Sequence, residues 1–347
     1  MRILIIKLKH IGDNLVLTPS ICAIKEAYPH SHITVLVRQG GQGILEGCPE
    51  IDQILTTSPA EKSNRSFLGE LTNTLKLLSQ LRENTFDHIF ELTNGDRGRW
   101  LATISRAKKR WGMANSETSH FWKYFLNKLV PAQINCHSVE NDYQIFRSIL
   151  ELQNKLPPLR FHITEKDIAS IQSLQTNNSI VIHPVSRWNR KLWPKHYWKE
   201  LIHTLVQQGE KVVLSSGPDP REIDFCLGLK KNAGGHCSFT GGKLAWHELA
   251  AILQSSKLFI GLDTAVMHLA AATQTPIIAI FLPWNITTWH PWECPYIAPC
   301  PEGFSLQPHA QANQEEARKA LHALKPQLIL EAITQLKVRP PSTHPFA

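Results

Sequence analysis

Short runs rich in apolar and β-branched residues alternate with longer amphipathic segments along most of the chain. The clearest apolar runs cover residues 2–8, 32–38, 51–57, 86–93 and 179–186. Continuous apolarity and β-branched residues are typical of strands that are covered on both faces, as in parallel sheets. The segments between the runs have helical periodicity. The pattern therefore predicts strand–helix–strand units and an α/β fold with doubly wound parallel sheets.

The alternation stops and then restarts near the middle of the chain. Pro157 and Pro158 cannot continue a helix, and the next apolar run begins only at residue 179. A length of 347 residues also favours two domains, at roughly 150 residues each. We therefore predict two domains of similar size, residues 1–165 and 166–347, with the boundary between positions 155 and 178.

The most informative stretch is KLFIGLDTAVMHLAAATQTPIIAIFLP, residues 257–283. It predicts a strand that ends at Asp263, a helix of small residues that begins at Thr264, and a second strand over residues 276–282. Ligand clefts of open parallel sheets lie at the carboxyl ends of the strands, and a helix N-terminus favours anions. Asp263 and Thr264 are therefore candidates for binding a phosphate or a hydroxyl-rich ligand, although either residue could merely cap the helix.

Further polar side chains follow the ends of predicted strands. Asp13 follows the first strand, and Arg97 and Arg99 follow the strand over residues 86–93. In the second half the corresponding residues are Ser186, Arg187, Arg190, Lys191 and Glu222. Displacing a nucleoside diphosphate from a sugar requires a base for the attacking hydroxyl and positive potential for the departing diphosphate. This set offers both, and the absence of an Asp-x-Asp triplet fits chemistry without a metal.

Two of the candidates have a plain structural alternative. Glu222 could accept hydrogen bonds from ribose hydroxyls, or it could stabilise the start of its helix as a first-turn carboxylate. His268 lies four residues after Thr264 on the same helical face, which favours packing of the ring over contact with a ligand.

The composition narrows the class of partner. Lys and Arg exceed Asp and Glu by 37 to 29, for a net charge of +8, which favours nucleic acid, an acidic membrane surface or a phosphorylated substrate. No basic-aromatic RNA platform or recognition-helix motif is visible, so we expect no nucleic acid. The first apolar run is too short for a signal peptide, and no apolar run is long enough to span a bilayer. We expect a cytoplasmic protein.

The cysteines give little indication of a metal or of a disulfide framework. There are seven, with no Cys-x-x-Cys pair and no paired metal-ligand spacing. Cys294 and Cys300 lie in an aromatic, Pro-rich segment over residues 285–303, which we predict to be a loop, and the nearby histidines lack the usual ligand spacing. Reduced, mostly buried thiols are the expected state.

Three motifs, in this order, resemble glycosyltransferase family 9, the ADP-heptose lipopolysaccharide heptosyltransferases. They are IGDNLVLTPSICAIKEAYP from residue 11, HPVSRWNRKLWP from residue 183 and GLDTAVMHLAAATQTPIIAIF from residue 261. LTNGDRGRW, from residue 92, and PVSRWNRKLW are most similar to the heptosyltransferase III branch. The resemblance covers nearly the whole chain. It implies the GT-B fold, in which two Rossmann-like domains face a central cleft.

The resemblance also implies a reaction. It is an inverting, metal-independent transfer of heptose from ADP-L-glycero-D-manno-heptose to a heptose of the lipopolysaccharide inner core. The alternatives are another nucleotide sugar, or an inner-core acceptor of the heptosyltransferase I or II type. No cofactor is expected. The partners would be the donor, the core acceptor and the cytoplasmic face of the inner membrane, in peripheral contact through basic residues of the N-terminal domain.

Individual residues take roles by the same resemblance. The N-terminal domain would bind the acceptor, with Asp13 as general base, and the C-terminal domain and its terminal helices would bind the ADP-sugar. The acceptor-binding residues would be Asn14, Arg97 and Arg99, and the donor-binding residues would be Ser186, Lys191, Glu222, Leu244, Asp263, Thr264, Ala265 and His268.

Overall fold

The computed structural model describes residues 1–57, 67–133, 135–153, 155–231, 233–282, 285–304 and 314–338. The chain divides into two compact units, Met1–His162 and Ile163–Ala347. Each unit is built around its own parallel sheet. The predicted α/β class with two doubly wound sheets is confirmed.

The first unit alternates strands and helices from its first residues onward. Its strands are β1 (Arg2–Lys7), β2 (His32–Arg38), β3 (Gln53–Thr57), β4 (His88–Glu91), β5 (Lys109–Ala114) and β6 (Lys128–Pro131). Its helices are α1 (Ile11–Leu15), α2 (Thr18–Ala27), α3 (Phe67–Glu83), α4 (Asp96–Ile104) and α5 (Ser138–Arg147), with a 3-10 turn over His120–Tyr124.

The second unit repeats this alternation. Its strands are β7 (Ile180–His183), β8 (Val212–Leu214), β9 (Cys237–Phe239), β10 (Leu258–Leu262), β11 (Ile277–Ile280) and β12 (Tyr296–Ile297). Its helices are α6 (Glu165–Ile171), α7 (Lys195–Gln207), α8 (Pro220–Lys230), α9 (Trp246–Ser255), α10 (Ala265–Ala272), α11 (Ile286–Trp289), α12 (Gln314–Ala323) and α13 (Pro326–Val338), with 3-10 turns over Gln172–Leu174 and Asn189–Lys191.

Both sheets have the same topology. The first has the strand order β3-β2-β1-β4-β5-β6 and the second β12-β11-β10-β7-β8-β9, and all pairs are parallel. In each sheet the strand order reverses where the first and fourth strands of the unit pair, β1 with β4 and β7 with β10. Open α/β sheets bind ligands outside the carboxyl ends of the strands at such a switch point. The topology therefore marks one candidate crevice in each unit.

The central strands are buried because their apolar side chains are covered on both faces. Ile3 to Ile6 of β1 and Leu258 to Leu262 of β10 are buried throughout. The helices cover these strands with their apolar sides, and a separate apolar core forms in each unit. At roughly 25 cal/mol per Å² of buried apolar surface, this burial is the main term that stabilises each unit.

Four strands were not predicted from the sequence. β5 mixes basic residues with Gly112, β6 has only four residues, and β9 has only three, so none has the long apolar run that marks a buried strand. The predicted loop over residues 285–303 is wrong in part, since it contains α11 and the two-residue strand β12, which pairs with β11. Such short edge strands are defined by pairing and not by their own sequence pattern.

The first strand–helix connection is divided into two short helices. Asp13 lies in α1, and α2 begins at Thr18. Pro19 lies in the first turn of α2, where its missing N–H is tolerated. Asp13 is therefore held in its own short helix, immediately beyond the first strand.

Two further findings concern the chain as a whole. All seven cysteines are free, but only Cys48, Cys226 and Cys237 are buried and the other four are half-buried, so the prediction of mostly buried thiols is wrong. Among the described residues, no helix combines the length and apolarity that crossing a bilayer requires.

Candidate active site

Asp13 lies just beyond the carboxyl end of β1, at the first switch point. It is 8% exposed, and its Oδ2 accepts a hydrogen bond from the His10 backbone N–H at 2.8 Å. This bond closes the turn between β1 and α1 and fixes the carboxylate relative to the sheet. An oriented carboxylate at a strand end can accept a proton from a bound hydroxyl.

A buried ion pair lies near Asp13, and the sequence analysis did not identify it. The Lys7 ammonium of β1 binds the carboxylate of Asp142 in α5, and both side chains are buried. Burial raises the pKa of Asp142, Lys7 opposes the increase, and the negative charge of Asp13 adds to it. Lys7 therefore supplies positive charge behind the Asp13 turn. A lysine inside the otherwise apolar run RILIIKL was the signal available in the sequence.

Asn14 is buried behind the same turn. Its Nδ2 donates to the Gly41 carbonyl at 3.3 Å, and a Cβ on Gly41 would lie 2.5 Å from that nitrogen. Only glycine permits this close approach of the two segments. Asn14 Oδ1 is buried and makes no hydrogen bond to any described residue. The predicted contact of Asn14 with an acceptor stays a prediction.

Glu91 ends β4 on the other side of the first switch point. It is fully buried, and its Oε1 accepts a hydrogen bond from the Thr93 N–H at 2.8 Å. The Thr93 hydroxyl in turn accepts from the Leu8 N–H at 2.9 Å, which links the ends of β1 and β4. Burial raises the pKa of Glu91 to about 7, although Arg99 acts in the opposite direction.

Arg99 connects the β4–α4 loop to neighbouring segments. Its guanidinium donates to Asn94 Oδ1 at 2.7 Å, to the Met113 carbonyl at 3.1 Å, and to Asp96 Oδ1 and Thr118 Oγ1 at 3.2 Å. The side chain is buried. Because these partners all belong to the first unit, the geometry favours positioning of the loop, and an acceptor contact of Arg99 stays a prediction.

Arg97 is arranged differently. It is exposed in the first turn of α4, and desolvation together with nearby Arg38 lowers its pKa below the usual arginine value. Arg38 ends β2. Two neighbouring guanidinium groups at this edge of the sheet create positive potential that favours an anionic ligand.

In the second unit, Lys191 and Asp263 meet at the switch point. Lys191 ends the 3-10 turn after β7, and Asp263 follows β10. Lys191 Nζ lies 2.6 Å from Asp263 Oδ2 and 3.1 Å from the Asp263 carbonyl oxygen, with the side chains 16% and 7% exposed. Asn285 adds a longer contact from its Nδ2 to the same Oδ2 at 3.4 Å. Two predicted residues are thus brought together, and a third that the sequence analysis missed joins them.

Thr264 and Ala265 form the start of α10 beside this pair. Thr264 occupies the N-cap position with extended backbone angles, but its side chain makes no capping hydrogen bond. Its Oγ1 is buried and has no hydrogen-bond partner within the described part of the chain. The first N–H groups of a helix have no acceptor within the helix and bind anions readily. This helix end therefore presents N–H donors next to a lysine.

His268 lies one turn further along α10. It is buried, and its ring packs edge-on against Trp289, with ring centroids 6.1 Å apart. This arrangement agrees with a packing histidine. Its predicted donor contact stays a prediction.

Glu222 and Leu244 lie on two loops that approach each other closely. Glu222, in the first turn of α8, accepts a hydrogen bond from the Gly217 N–H at 2.9 Å, and burial raises its pKa. A Cβ on Gly242 would lie 2.6 Å from the Gly217 carbonyl oxygen, and Gly242 has a positive φ of 69°. Both features require glycine. Leu244, half-buried, follows two residues later.

Ser186 and His183 complete the second crevice. Ser186 lies in the loop that also carries Lys191, and its Oγ accepts a hydrogen bond from the Trp188 N–H at 3.3 Å. His183 ends β7, and its Nδ1 lies 3.0 Å from Ser215 Oγ. Burial lowers the pKa of His183 to about 4, so the imidazole is neutral at neutral pH. The sequence analysis missed His183, although it is the polar residue that ends an apolar run.

Comparison with known proteins confirms the resemblance to glycosyltransferase family 9. The chain matches the family model of glycosyltransferase family 9 (heptosyltransferase) over residues 74–319. Lipopolysaccharide heptosyltransferase 3 of Escherichia coli is 28% identical over 298 residues, which cover 81% of this chain and 83% of that protein.

Solved structures of the same family have the same fold. The glycosyl transferase family 9 structure from Veillonella parvula superposes with a TM-score of 0.81 at 20% identity, covering 96% of each chain. E. coli heptosyltransferase WaaC with ADP superposes with a TM-score of 0.74 at 18% identity, covering 97% of this chain and 100% of that one. The predicted GT-B fold class is confirmed. Since the family model matches well over half of the sequence, the chain belongs to glycosyltransferase family 9, the heptosyltransferases.

Proposed function

We propose that this glycosyltransferase transfers heptose from ADP-L-glycero-D-manno-heptose to a heptose of the lipopolysaccharide inner core, with inversion and without a catalytic metal. One observation carries the proposal: Lys191 and Asp263 meet beside the N-terminus of α10 at the switch point of the second sheet. The pair combines a cation for a diphosphate with a carboxylate for sugar hydroxyls. Two related E. coli structures support the donor class, since one contains ADP and the other ADP-2-deoxy-2-fluoro heptose.

Different elements of the second unit bind the diphosphate and the heptose of the donor. The Lys191 ammonium and the N–H groups at Thr264 and Ala265 bind the diphosphate, because all of them place positive charge at one point. Asp263 accepts hydrogen bonds from the heptose hydroxyls once Lys191 turns to the phosphates. Ser186, in the Lys191 loop, lies beside the diphosphate, and His268 keeps the first turns of α10 packed.

The adenosine occupies the loops after β8 and β9. Glu222 accepts hydrogen bonds from the ribose hydroxyls, and Leu244 packs against the adenine. The close contact of Gly217 and Gly242 supports this assignment, because it brings the loops after β8 and β9 together. Because burial raises the pKa of Glu222, the carboxylate gains from the hydrogen-bond donors that a ribose supplies.

The reaction is a single displacement. The acceptor hydroxyl oxygen forms a bond to the anomeric carbon as the bond from that carbon to the phosphate oxygen breaks, and ADP leaves with both electrons. Asp13 takes the hydroxyl proton. Lys191 and the helix amides stabilise the negative charge on the departing diphosphate, so the reaction needs no metal ion for this purpose.

The acceptor is a core heptose presented to the first unit. Arg97 and its neighbour Arg38 favour an anionic acceptor, and Arg99 and Asn14 hold the loops that surround Asp13. The similarity to lipopolysaccharide heptosyltransferase 3 favours an acceptor that already carries heptose.

The central experiment offers the purified protein ADP-heptose with core acceptors that carry zero, one or two heptoses, followed by mass spectrometry. We expect one heptose to be added to one of the heptose-containing acceptors, and NMR of the product to show an inverted anomeric configuration. Activity should persist in EDTA. Calorimetry should show binding of ADP and weaker binding of UDP and GDP. Tighter UDP or GDP binding with no heptose product would favour the alternative of another nucleotide sugar.

We also propose that the enzyme works at the cytoplasmic face of the inner membrane. An aromatic–lysine surface on the first unit supports this location and consists of Trp100, Phe121, Lys123, Tyr124 and Lys128. All five side chains are exposed, Tyr124 by 87%. Aromatic rings at the headgroup level and lysines near anionic lipids are typical of peripheral membrane contacts.

This surface adjoins the loop expected to bind the acceptor. Trp122, buried beneath it, donates from Nε1 to Asp96 Oδ1 at 2.8 Å, and its ring lies 5.8 Å from the Arg99 guanidinium carbon. A lipid-anchored acceptor would therefore reach Arg97 and Asp13 from the bilayer. Binding to phosphatidylglycerol vesicles should exceed binding to phosphatidylcholine vesicles and fall with added salt. K123E/K128E should abolish the difference, whereas K230E/K231E in the second unit should leave it intact. Equal binding by both variants would contradict the assigned surface.

A further inference from the structure

Three potential metal ligands lie together in the first unit. Cys22 is in α2, and Cys48 and Glu50 are in the segment between β2 and β3. Their two sulfur atoms and a carboxylate oxygen all lie within 4.8 Å of one another. Cys48 Sγ donates to Glu50 Oε2 at 3.3 Å. The sequence alone did not reveal this cluster, because Cys22 and Cys48 are far apart in the chain.

The segment that carries Cys48 and Glu50 is fixed by its own contacts. The Cys48 N–H donates to the Leu45 carbonyl at 3.0 Å, and the Ile51 N–H donates to the Cys48 carbonyl at 3.1 Å. A Cβ on Gly47 would lie 2.7 Å from the Phe161 ring, so the chain packs closely there. Cys48 is buried, whereas Cys22 and Glu50 are half-buried. The ligands are therefore held in place and remain reachable from solvent.

The surrounding charge suits a divalent cation. Two thiolates and one carboxylate carry three negative charges, and the Arg160 guanidinium lies 3.6 Å from the other carboxylate oxygen of Glu50. A divalent ion and this guanidinium would neutralise the set. Arg160 also orients the carboxylate, as partners of ligating groups do in metal sites. Zinc binds the thiolate form of cysteine, so metal binding releases the two thiol protons.

We propose that Cys22, Cys48 and Glu50 bind one zinc-class divalent ion that connects α2 to the segment between β2 and β3. Sulfur and carboxylate oxygen are ligands that zinc accepts, at about 2.3 Å and about 2.0–2.2 Å, in tetrahedral geometry that leaves the fourth position for water. These bond lengths require ligand atoms roughly 3.5–3.8 Å apart. The separation of Cys48 Sγ from Glu50 Oε2, 3.3 Å, is already close to this value.

The ion has a structural effect and takes no part in transfer. α2 follows the turn that holds Asp13 and Asn14, and Asn14 binds Gly41 in the same segment that carries Cys48. A metal link between α2 and this segment would therefore stabilise the Asn14–Gly41 contact. The inference is independent of the donor and acceptor assignments.

The test uses the full chain, reduced and stripped of metal by chelation, and titrates it with Co²⁺ as a spectroscopic probe. We expect one Co²⁺ per chain, with a thiolate-to-cobalt charge-transfer band and the intense visible bands of tetrahedral cobalt, both lost when Zn²⁺ is added. Zn²⁺ should raise the melting temperature in a concentration-dependent way.

Substitutions of the three proposed ligands test where the ion binds. C22S and C48S should each weaken Zn²⁺ binding at least about 100-fold, and E50Q about 10-fold. C136S is the matched control, since Cys136 is a half-buried thiol of the same unit with carboxylates nearby but lies outside the cluster. If the serine variants fail to fold, the cobalt spectrum of the unaltered chain still decides the question. A chain with fully reduced thiols and no thiolate–cobalt band would overturn the proposal, as would a Cys22–Cys48 disulfide in place of metal binding.

Discussion

The two switch points have the same topology but differ in how far their charged side chains are buried. In the first unit most of the charged groups near the ends of β1 and β4 are buried and bound within the unit, as Lys7 is to Asp142 and Arg99 is to its loop. In the second unit, Asp263 is buried, but its ion-pair partner Lys191 is 16% exposed at the edge of the crevice.

This difference fits the two kinds of ligand proposed for the two crevices. The diphosphate proposed for the second crevice needs positive charge and a helix N-terminus, and Lys191 and the start of α10 offer both. A neutral hydroxyl that must lose a proton needs one oriented carboxylate in a stable frame, which the first crevice presents around Asp13. Changes in the first unit should therefore affect turnover or stability, and changes in the second should affect donor binding and, at Lys191, the departure of the diphosphate.

The largest expected effect comes from Asp13→Asn. The amide keeps an oxygen for the His10 N–H but cannot take a proton, so kcat should fall about 1,000-fold. ADP affinity, measured by calorimetry, should stay unchanged because the proposed donor site lies on the second unit. Asp87→Asn is the matched control, since Asp87 also accepts a backbone N–H, from Arg2 at 2.7 Å, but at the amino end of β4. Normal turnover by Asp13→Asn would remove the functional contrast between the two crevices.

Lys191→Ala should weaken ADP binding about 30-fold, because a hydrogen bond to a charged group contributes about 1.5–3 kcal/mol. The unfolding temperature should fall as well, because the variant leaves the buried Asp263 carboxylate without its ammonium partner. Arg190→Ala tests whether any nearby cation suffices: its guanidinium lies over the Trp188 ring and is not paired with Asp263. Equal losses of ADP affinity in both variants would indicate a diffuse positive potential instead of a specific contact.

Glu91→Gln should change how the free energy of unfolding depends on pH. The pKa of Glu91 rises from 4.5 in the unfolded chain to about 7 in the folded protein, so the folded protein retains a proton that the unfolded chain releases in this interval. The free energy of unfolding therefore falls as the pH rises from 4.5 towards 7, and the shift corresponds to about 3 kcal/mol.

The glutamine variant does not titrate at this position, so it should gain stability relative to the unaltered chain as the pH rises through that interval. Urea unfolding at several pH values measures the difference. Glu117→Gln, which changes an exposed carboxylate of the same unit, should follow the unaltered chain at every pH. If the free energies of unfolding of Glu91→Gln and of the unaltered chain changed in parallel with pH, burial of the Glu91 carboxylate would carry no energetic cost. That result would contradict the view that the first unit buries its charged groups.

The sequence predicted the parts of both crevices that depend on strand ends. Asp13, Lys191 and Asp263 follow apolar runs, and the rule that ligands bind at the carboxyl ends of parallel strands places them at the crevices. The strand order itself, and hence which ends are adjacent, needed the fold. Short strands such as β9 and β12 carry too little pattern to be recognised from their own residues.

Contacts between distant segments were beyond the reach of the sequence. Asp142 pairs with Lys7 across 135 positions, and the Arg99 partner Thr118 follows 19 residues later. Local periodicity holds no information on such pairs because they depend on packing between elements. Whether the Thr264 side chain makes a capping hydrogen bond could likewise be decided only from the positions of its atoms, and it makes none.

The smallest effect should come from Asn285, the added member of the second crevice. Its contact with Asp263 is long, at 3.4 Å, so Asn285→Ala should raise the KM for ADP-heptose only about threefold and leave kcat unchanged. Thr288→Ala, on the same short helix, is the control for a general disturbance of α11. A fall in kcat with KM unchanged would mean that Asn285 orients Asp263 for the transition state and not for donor binding alone. In that case Asn285, like Lys191 in the proposed reaction, would act on the transition state, and the second crevice would contribute to turnover through more than one side chain.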